Sequence, residues 1–162
     1  MRKIIMPAVF AALCIFLILN PAGLSAQTGN GESGDTSSDP SLVAVGSLSA
    51  SNLYLSYLVL GTVADGYVSG SYDLETTKSI ARETIFLNGN SRDALQDLLD
   101  SEVIAREEAR VVSDMIESYG ILDNMAGALL NFIEDENDNG SAYQTFRKEA
   151  WERISALLGL EE

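Results

Sequence analysis

The residues best suited to chemistry form an acidic run, DENDNG, from Asp135 to Gly140. An EF-hand calcium loop has oxygen-bearing side chains at positions 1, 3 and 5, a glycine at position 6 and a bidentate glutamate at position 12. Asp135, Asn137 and Asn139 occupy the first three of these positions, but position 12 is Phe146, which cannot bind a cation. We therefore expect a turn between two helices. A calcium site at Asp135, Asn137 and Asn139 is the alternative, and it would need ligands from elsewhere.

The residues after this run predict the last helix, over residues 142–159. Ser141 and Gln144 fit a capping box, in which a serine caps the helix and a glutamine three residues later reaches back. Gly159 is a plausible stop for the helix. Apolar residues at helical spacing predict its buried face: Tyr143, Phe146, Ala150, Ile154 and Leu157.

Tyrosine hydroxyls and two arginines are the other candidate binding groups. Tyr57 and Tyr119 fall near the predicted core, and Arg147 and Arg153 concentrate positive charge on the last helix. Half-buried tyrosines and arginines that complement acidic neighbours explain most such patterns, and we favour that interpretation. The functional alternative is a small-molecule pocket lined by these four residues.

The residue types that are missing exclude much chemistry. The chain has no histidine, and its single cysteine, Cys14, lies in the N-terminal apolar run. A Ser-His-Asp triad and the usual zinc sites are therefore unavailable. Glu107 and Glu108 lie beside Arg106 and Arg110, a pattern typical of solvated helix pairs. The sequence predicts a non-enzymatic protein without a cofactor.

The first 26 residues are typical of a secretory signal peptide. Arg2 and Lys3 precede an apolar run over residues 4–19, and a small residue, Ala26, stands at the expected cleavage point. Residues 27–41 are small and polar, which predicts a disordered linker. The sequence thus predicts a periplasmic or secreted protein whose folded part covers residues 42–160.

The predicted mature chain is strongly acidic. Removal of the signal peptide reduces the ten Lys and Arg residues to eight and keeps all 24 Asp and Glu residues, which gives a net charge of −16. Such a charge disfavours nucleic acid and anionic lipid as partners, because both require cations to neutralise phosphates. It favours solubility and cationic partners.

The folded part has helical spacing and no sustained strand alternation. Its first segment is uncharged from Pro40 to Ala64 and is apolar on most sides. The serines and Asn52 within it indicate a packed helix rather than a stable membrane span. Asp73 or Ser71 is a suitable cap for the second helix.

Two interruptions are predicted beyond that point. The NGNS stretch at residues 88–91 predicts a break, although Ala81 and Leu95 remain in heptad register and leave a kinked continuous helix as the alternative. Residues 91–134 are too long for one straight helix in a small bundle, so we expect a bend near Ser101 or Gly120. Four segments joined by short turns predict an all-α, antiparallel four-helix bundle.

Together these features predict a binding or interaction module of the cell envelope. The excess apolar surface of the first helix favours docking to an envelope protein or self-association through that helix. A sensor-like bundle that binds a small molecule in a Tyr- and Arg-lined pocket is the alternative.

Overall fold

Four helices make up the part of the chain that the computed structural model describes, residues 40–101 and 103–160. They are α1 Pro40–Val68, α2 Leu74–Asp100, α3 Arg106–Glu134 and α4 Ser141–Leu158, and these residues include no strand. The all-α four-helix bundle is confirmed. The predicted signal peptide, residues 1–26, and residues 27–39 of the predicted linker lie outside the described residues.

The ends of α1 and the start of α2 follow local sequence rules. Proline suits the start of a helix because its fixed φ is already helical, and α1 begins at Pro40, two residues before the predicted start. Gly70, at φ 73°, turns the chain after α1 in the left-handed region that glycine tolerates. Asp73 then caps α2 by accepting a 2.7 Å hydrogen bond from the Thr76 amide. This bond lowers the pKa of the Asp73 carboxyl.

The predicted break at residues 88–91 is wrong, because α2 is continuous from Leu74 to Asp100. The polar residues that suggested a break have partners inside the bundle. Asn88 is completely buried and accepts a hydrogen bond from the Ser56 hydroxyl of α1. Ser91 donates to the carbonyl of Leu87 one turn back, which keeps its hydroxyl satisfied within the helix.

The long segment that follows is interrupted where one of the two predicted bends was placed. α2 is capped by Ser101, and α3 begins at Arg106, after the Ala105 amide donates a 2.8 Å hydrogen bond to the Glu108 carboxylate. Gly120, the other predicted position, lies inside α3.

The predicted capping box at Ser141 is also wrong. Ser141 is the first residue of α4, and the cap position is Gly140 at φ 71°. The Ser141 amide donates to the side-chain oxygen of Asn139, so the asparagine supplies the acceptor that the serine was expected to provide. The predicted stop at Gly159 is confirmed, since this residue caps α4 in the left-handed region.

The helix α3 is the centre of the bundle and packs against the other three helices. Hydrogen bonds link Asn52 to Ser91 and Ser56 to Asn88. A later residue of α1 therefore contacts an earlier residue of α2. This order is compatible with the predicted antiparallel arrangement. The largest fully buried apolar side chains are Leu53, Leu60, Tyr119, Leu122, Met125, Leu129 and Ile154.

Replacing Gly89 with alanine tests the continuity of α2. A Cβ added at Gly89 meets no atom within 4 Å, so we expect Gly89→Ala to raise the free energy of unfolding by about 0.5–1 kcal/mol. Gly140→Ala is the contrasting control, because Gly140 has φ 71° and an added Cβ would lie 3.1 Å from the Phe132 ring. Urea denaturation should show the opposite sign for Gly140→Ala. A destabilised Gly89→Ala variant would contradict a continuous helix.

Candidate functional site

A buried polar cluster joins α1, α2 and α3 at the middle of the bundle. The Asn88 amide of α2 accepts a 2.9 Å hydrogen bond from the Ser56 hydroxyl and donates a 3.3 Å bond to the Asp123 carboxylate of α3. Arg92 donates to the other oxygen of Asp123 at 3.1 Å. Burial raises the pKa of Asp123, while Asn88 and Arg92 partly oppose that shift.

A second set of hydrogen bonds lies one turn away in the same interface. Asn52 of α1 donates to the hydroxyls of Ser91 at 3.0 Å and Tyr119 at 3.1 Å. The Tyr119 hydroxyl donates in turn to the carbonyl of Ser49 at 3.2 Å. Burial raises the pKa of Tyr119, so the hydroxyl keeps its proton and remains a donor.

These groups satisfy one another. Within the described residues, every buried side-chain nitrogen or oxygen has a hydrogen-bond partner. The arrangement holds three helices in one register.

A different contact fastens α4 to α1. Arg147 lies over Gly61 and binds both carboxylate oxygens of Asp65, at 3.0 and 3.2 Å. This pairing raises the pKa of Arg147. The buried Tyr143 hydroxyl donates to the Leu60 carbonyl at 3.3 Å, and burial raises the pKa of Tyr143 to about 12.

The four residues predicted to line a pocket lie in three places. Tyr57 lies on the α1–α4 face, 5.6 Å from the Trp151 ring, and Arg147 lies on the same face. Tyr119 belongs to the polar cluster at the α1–α2–α3 interface. Arg153 pairs with Glu117 of α3 at 3.1 Å. The structure brings Tyr57 and Arg147 together and leaves the other two apart.

The acidic run between α3 and α4 folds on itself through side-chain to backbone bonds. The Asp135 carboxylate accepts hydrogen bonds from the backbone and side-chain nitrogens of Asn137, and Asp138 accepts one from the Gly140 amide. Phe146, at loop position 12, packs against the core. The part of the chain that the structure describes has no group of three or more His, Cys, Asp or Glu residues that could hold a metal ion. A calcium site at Asp135, Asn137 and Asn139 stays a prediction.

A concave groove lies between α1 and α2 and is here called the α1–α2 groove. One stretch has a volume of about 520 Å³ and the next about 280 Å³, and Asn52 borders both. The first is lined by Asn52, Leu55, Ser56, Val59, Ser79, Ile80, Glu83, Thr84 and Leu87. The second is lined by Val45, Leu48, Ser49, Asn52, Ser91, Ala94, Leu95 and Tyr119.

Sequence reasoning missed the part of this groove that α2 contributes. The available signal was Phe86 and Leu87, two adjacent large apolar residues that are both exposed. Adjacent residues of a helix point in different directions, so two adjacent apolar residues cannot both belong to a narrow core-facing stripe. Their presence indicates that α2 has apolar surface outside that stripe.

The outer side of α1 continues the groove as an apolar face. Six exposed positions repeat at alternating spacings of four and three, which places them on one side of a helix: Ala44, Leu48, Ser51, Leu55, Leu58 and Thr62. Leu48 is 72% exposed and Leu55 is 57% exposed. We call these six residues the outer seam.

Within the described chain, α1 is the one helix that is long and apolar enough to cross a membrane. The core helix of a soluble protein and a signal sequence pass the same test, so this property is weak support for a membrane span. The contacts of Asn52 and Ser56 with α2 and α3 show instead that one side of α1 is used for packing inside the bundle.

No protein-family model, curated protein or solved structure matches this chain.

Removing the Asn88 side chain should weaken the bundle without opening a large cavity. The variant Asn88→Ala leaves the Ser56 hydroxyl without its acceptor and Asp123 without one donor, so we expect a loss of about 1–3 kcal/mol in the free energy of unfolding. Asn90→Ala, at an exposed position of the same helix, should change it by less than about 0.5 kcal/mol. Equal effects of the two variants in urea titrations would contradict the assigned network.

The buried tyrosines should make the fold sensitive to alkaline pH. The folded-state pKa of Tyr143 is about 12, against an ordinary value of 10.0, so the unfolded chain loses this proton first. Stability from Tyr143 is therefore complete below pH 10 and is lost as the pH rises toward 12.

Denaturation between pH 9 and 12 tests this expectation. Tyr143→Phe should start about 1 kcal/mol lower, because its bond to Leu60 is gone, and should then fall less steeply than the unmodified chain. Tyr72→Phe, at an exposed residue of the α1–α2 turn, is the matched control. Parallel curves for the unmodified chain and Tyr143→Phe would contradict the assignment.

Proposed function

We propose that this chain is an exported, non-enzymatic helical bundle that binds a protein partner in the cell envelope through the exposed side of α1. The observation that carries the proposal is the outer seam, six exposed positions with heptad spacing on a helix that already buries its opposite side. A helix within a bundle needs one apolar stripe, and α1 has two. Large exposed apolar patches are typical of interaction surfaces.

The composition of the outer seam supports helix packing in particular. Leu48, Leu55 and Leu58 supply large side chains, whereas Ala44 and Ser51 leave room between them. Such alternation lets side chains of a second helix interdigitate. The seam lies within the uncharged stretch from Pro40 to Ala64, so an apolar partner meets no ionised group of α1 along its length.

Export rests on the predicted signal peptide, and the non-enzymatic assignment rests on the residue types. The chain lacks histidine, and charged residues that link the helices form ion pairs with each other, as Asp123 does with Arg92 and Arg147 with Asp65. A small-molecule sensor has less support, because Tyr57, Tyr119, Arg147 and Arg153 do not converge on one cavity. We therefore retain only the interaction module.

Site-specific photo-crosslinking in the cells that produce the protein tests this function. A benzophenone amino acid at Leu55 should give a discrete covalent adduct, which native mass spectrometry would resolve as a partner or a second copy. The same group at Glu149, an exposed residue of α4 outside the outer seam, should give none. A strictly monomeric protein without an adduct at Leu55 would contradict the proposal.

A further inference from the structure

The α1–α2 groove has an apolar interior and an acidic rim. Leu55, Val59 and Leu87 supply much of the apolar lining, and Glu83 is the charged residue among those that line either stretch. Between Val45 and Val59 the groove follows α1 for about 21 Å, at 1.5 Å per residue, which accommodates roughly four turns of a second helix.

A second carboxylate extends the rim along α2. Glu83, Asn90 and Asp97 are seven residues apart and therefore lie along one line of the helix. Among the described residues, neither Glu83 nor Asp97 forms an ion pair within the chain.

The cations of α2 are directed away from the groove. Lys78 and Arg82 both pair with Glu134 of α3, and Arg92 pairs with Asp123 of α3. α1 supplies no charge beside the groove, because it is uncharged from Pro40 to Ala64. The rim is therefore acidic on one side and neutral on the other, and neither α1 nor α2 turns a cation toward it within the described residues.

We propose that the α1–α2 groove binds an amphipathic helix of another protein, with an apolar face in the groove and Lys or Arg residues along the edge that meets Glu83 and Asp97. This inference rests on the proposed function and adds the chemistry of the partner. Burial of leucine-type side chains supplies the attraction, as in other helix-in-groove complexes. The acidic rim selects the sign of the partner's charge and accelerates encounter.

A second copy of the chain fits this groove less well. Two copies that met here through a two-fold axis would present the same surface to each other. The carboxylates of each rim would then meet α1 or α2 of the other copy, and neither helix presents a cation on this side to neutralise them. Like charges across an interface oppose binding, so a cationic partner is favoured over self-association at this site.

Two synthetic peptides of about 18 residues test the proposal against the chain purified from expressing cells. Both carry leucine at alternating spacings of three and four; one has lysine at the polar positions and the other glutamate. By fluorescence anisotropy, we expect the lysine peptide to bind with at least about tenfold higher affinity than the glutamate peptide, and its affinity to fall as salt is raised from about 50 to 500 mM.

Matched variants separate groove binding from attraction to an acidic protein. The double variant Glu83→Gln, Asp97→Asn should weaken the lysine peptide about fivefold, since each rim ion pair contributes modestly. The double variant Glu107→Gln, Glu149→Gln removes the same charge from exposed positions outside the groove and should change affinity less than about twofold. Leu55→Gln with Leu87→Gln should abolish measurable binding, while circular dichroism remains that of the unmodified chain.

Several outcomes would overturn the inference. Equal weakening by the two double variants would show non-specific charge attraction, and equal affinity for both peptides would remove the role of the acidic rim. Absence of peptide binding together with an adduct at Leu55 in cells would reject the cationic helix and leave the proposed function standing. Absence of both would reject the proposed function as well.

Discussion

The buried amide of Asn88 is the constraint on which the arrangement of the first three helices depends. Its side chain is completely buried, so its donors and its acceptor must find partners within the protein. Ser56 of α1 and Asp123 of α3 are those partners, and Asp123 in turn engages Arg92. A shift of α1 or α3 by one turn would leave these groups unsatisfied in the core. The apolar contacts hold the helices together, but the polar cluster selects one register among several that similar apolar packing would allow.

The same constraint accounts for the unusual exposure of α1. Asn52 and Ser56 turn one side of the helix toward α2 and α3, while Asp65 meets Arg147 of α4 near its other end. With those two directions fixed, the remaining side of a nearly all-apolar helix must face outward. The outer seam is thus a consequence of how α1 is held, and it supplies the surface on which the proposed binding function depends.

The positions of the charged residues carry information that the net charge of this protein does not. The cations of α2 neutralise carboxylates of α3 at their shared interface, which leaves the carboxylates on the other side of α2 without partners. The apolar groove supplies the attraction for a partner helix, and the acidic rim selects a partner with positive charge. The net charge of −14 for the whole chain by itself indicates solubility and cationic partners in general, whereas the sorting of charge indicates where such a partner would dock.

The sequence by itself determined the helical class, the number of helices and the stop at Gly159, because heptad spacing and caps are local properties. It narrowed the cap of α2 to Ser71 or Asp73 and the later interruption to Ser101 or Gly120. It also suggested the exposed character of α1, since a helix apolar on most sides cannot be buried completely in a small bundle. Only the tertiary structure decided that α2 continues through Asn88 and Gly89, that Ser141 is not a cap, and that the four predicted pocket residues lie in three places. The physical reason is that a polar residue in an apolar seam can end a helix or be buried within it. It is buried where another helix supplies a hydrogen-bond partner for its side chain. That partner, Ser56 or Asp123, lies more than thirty residues away in the chain.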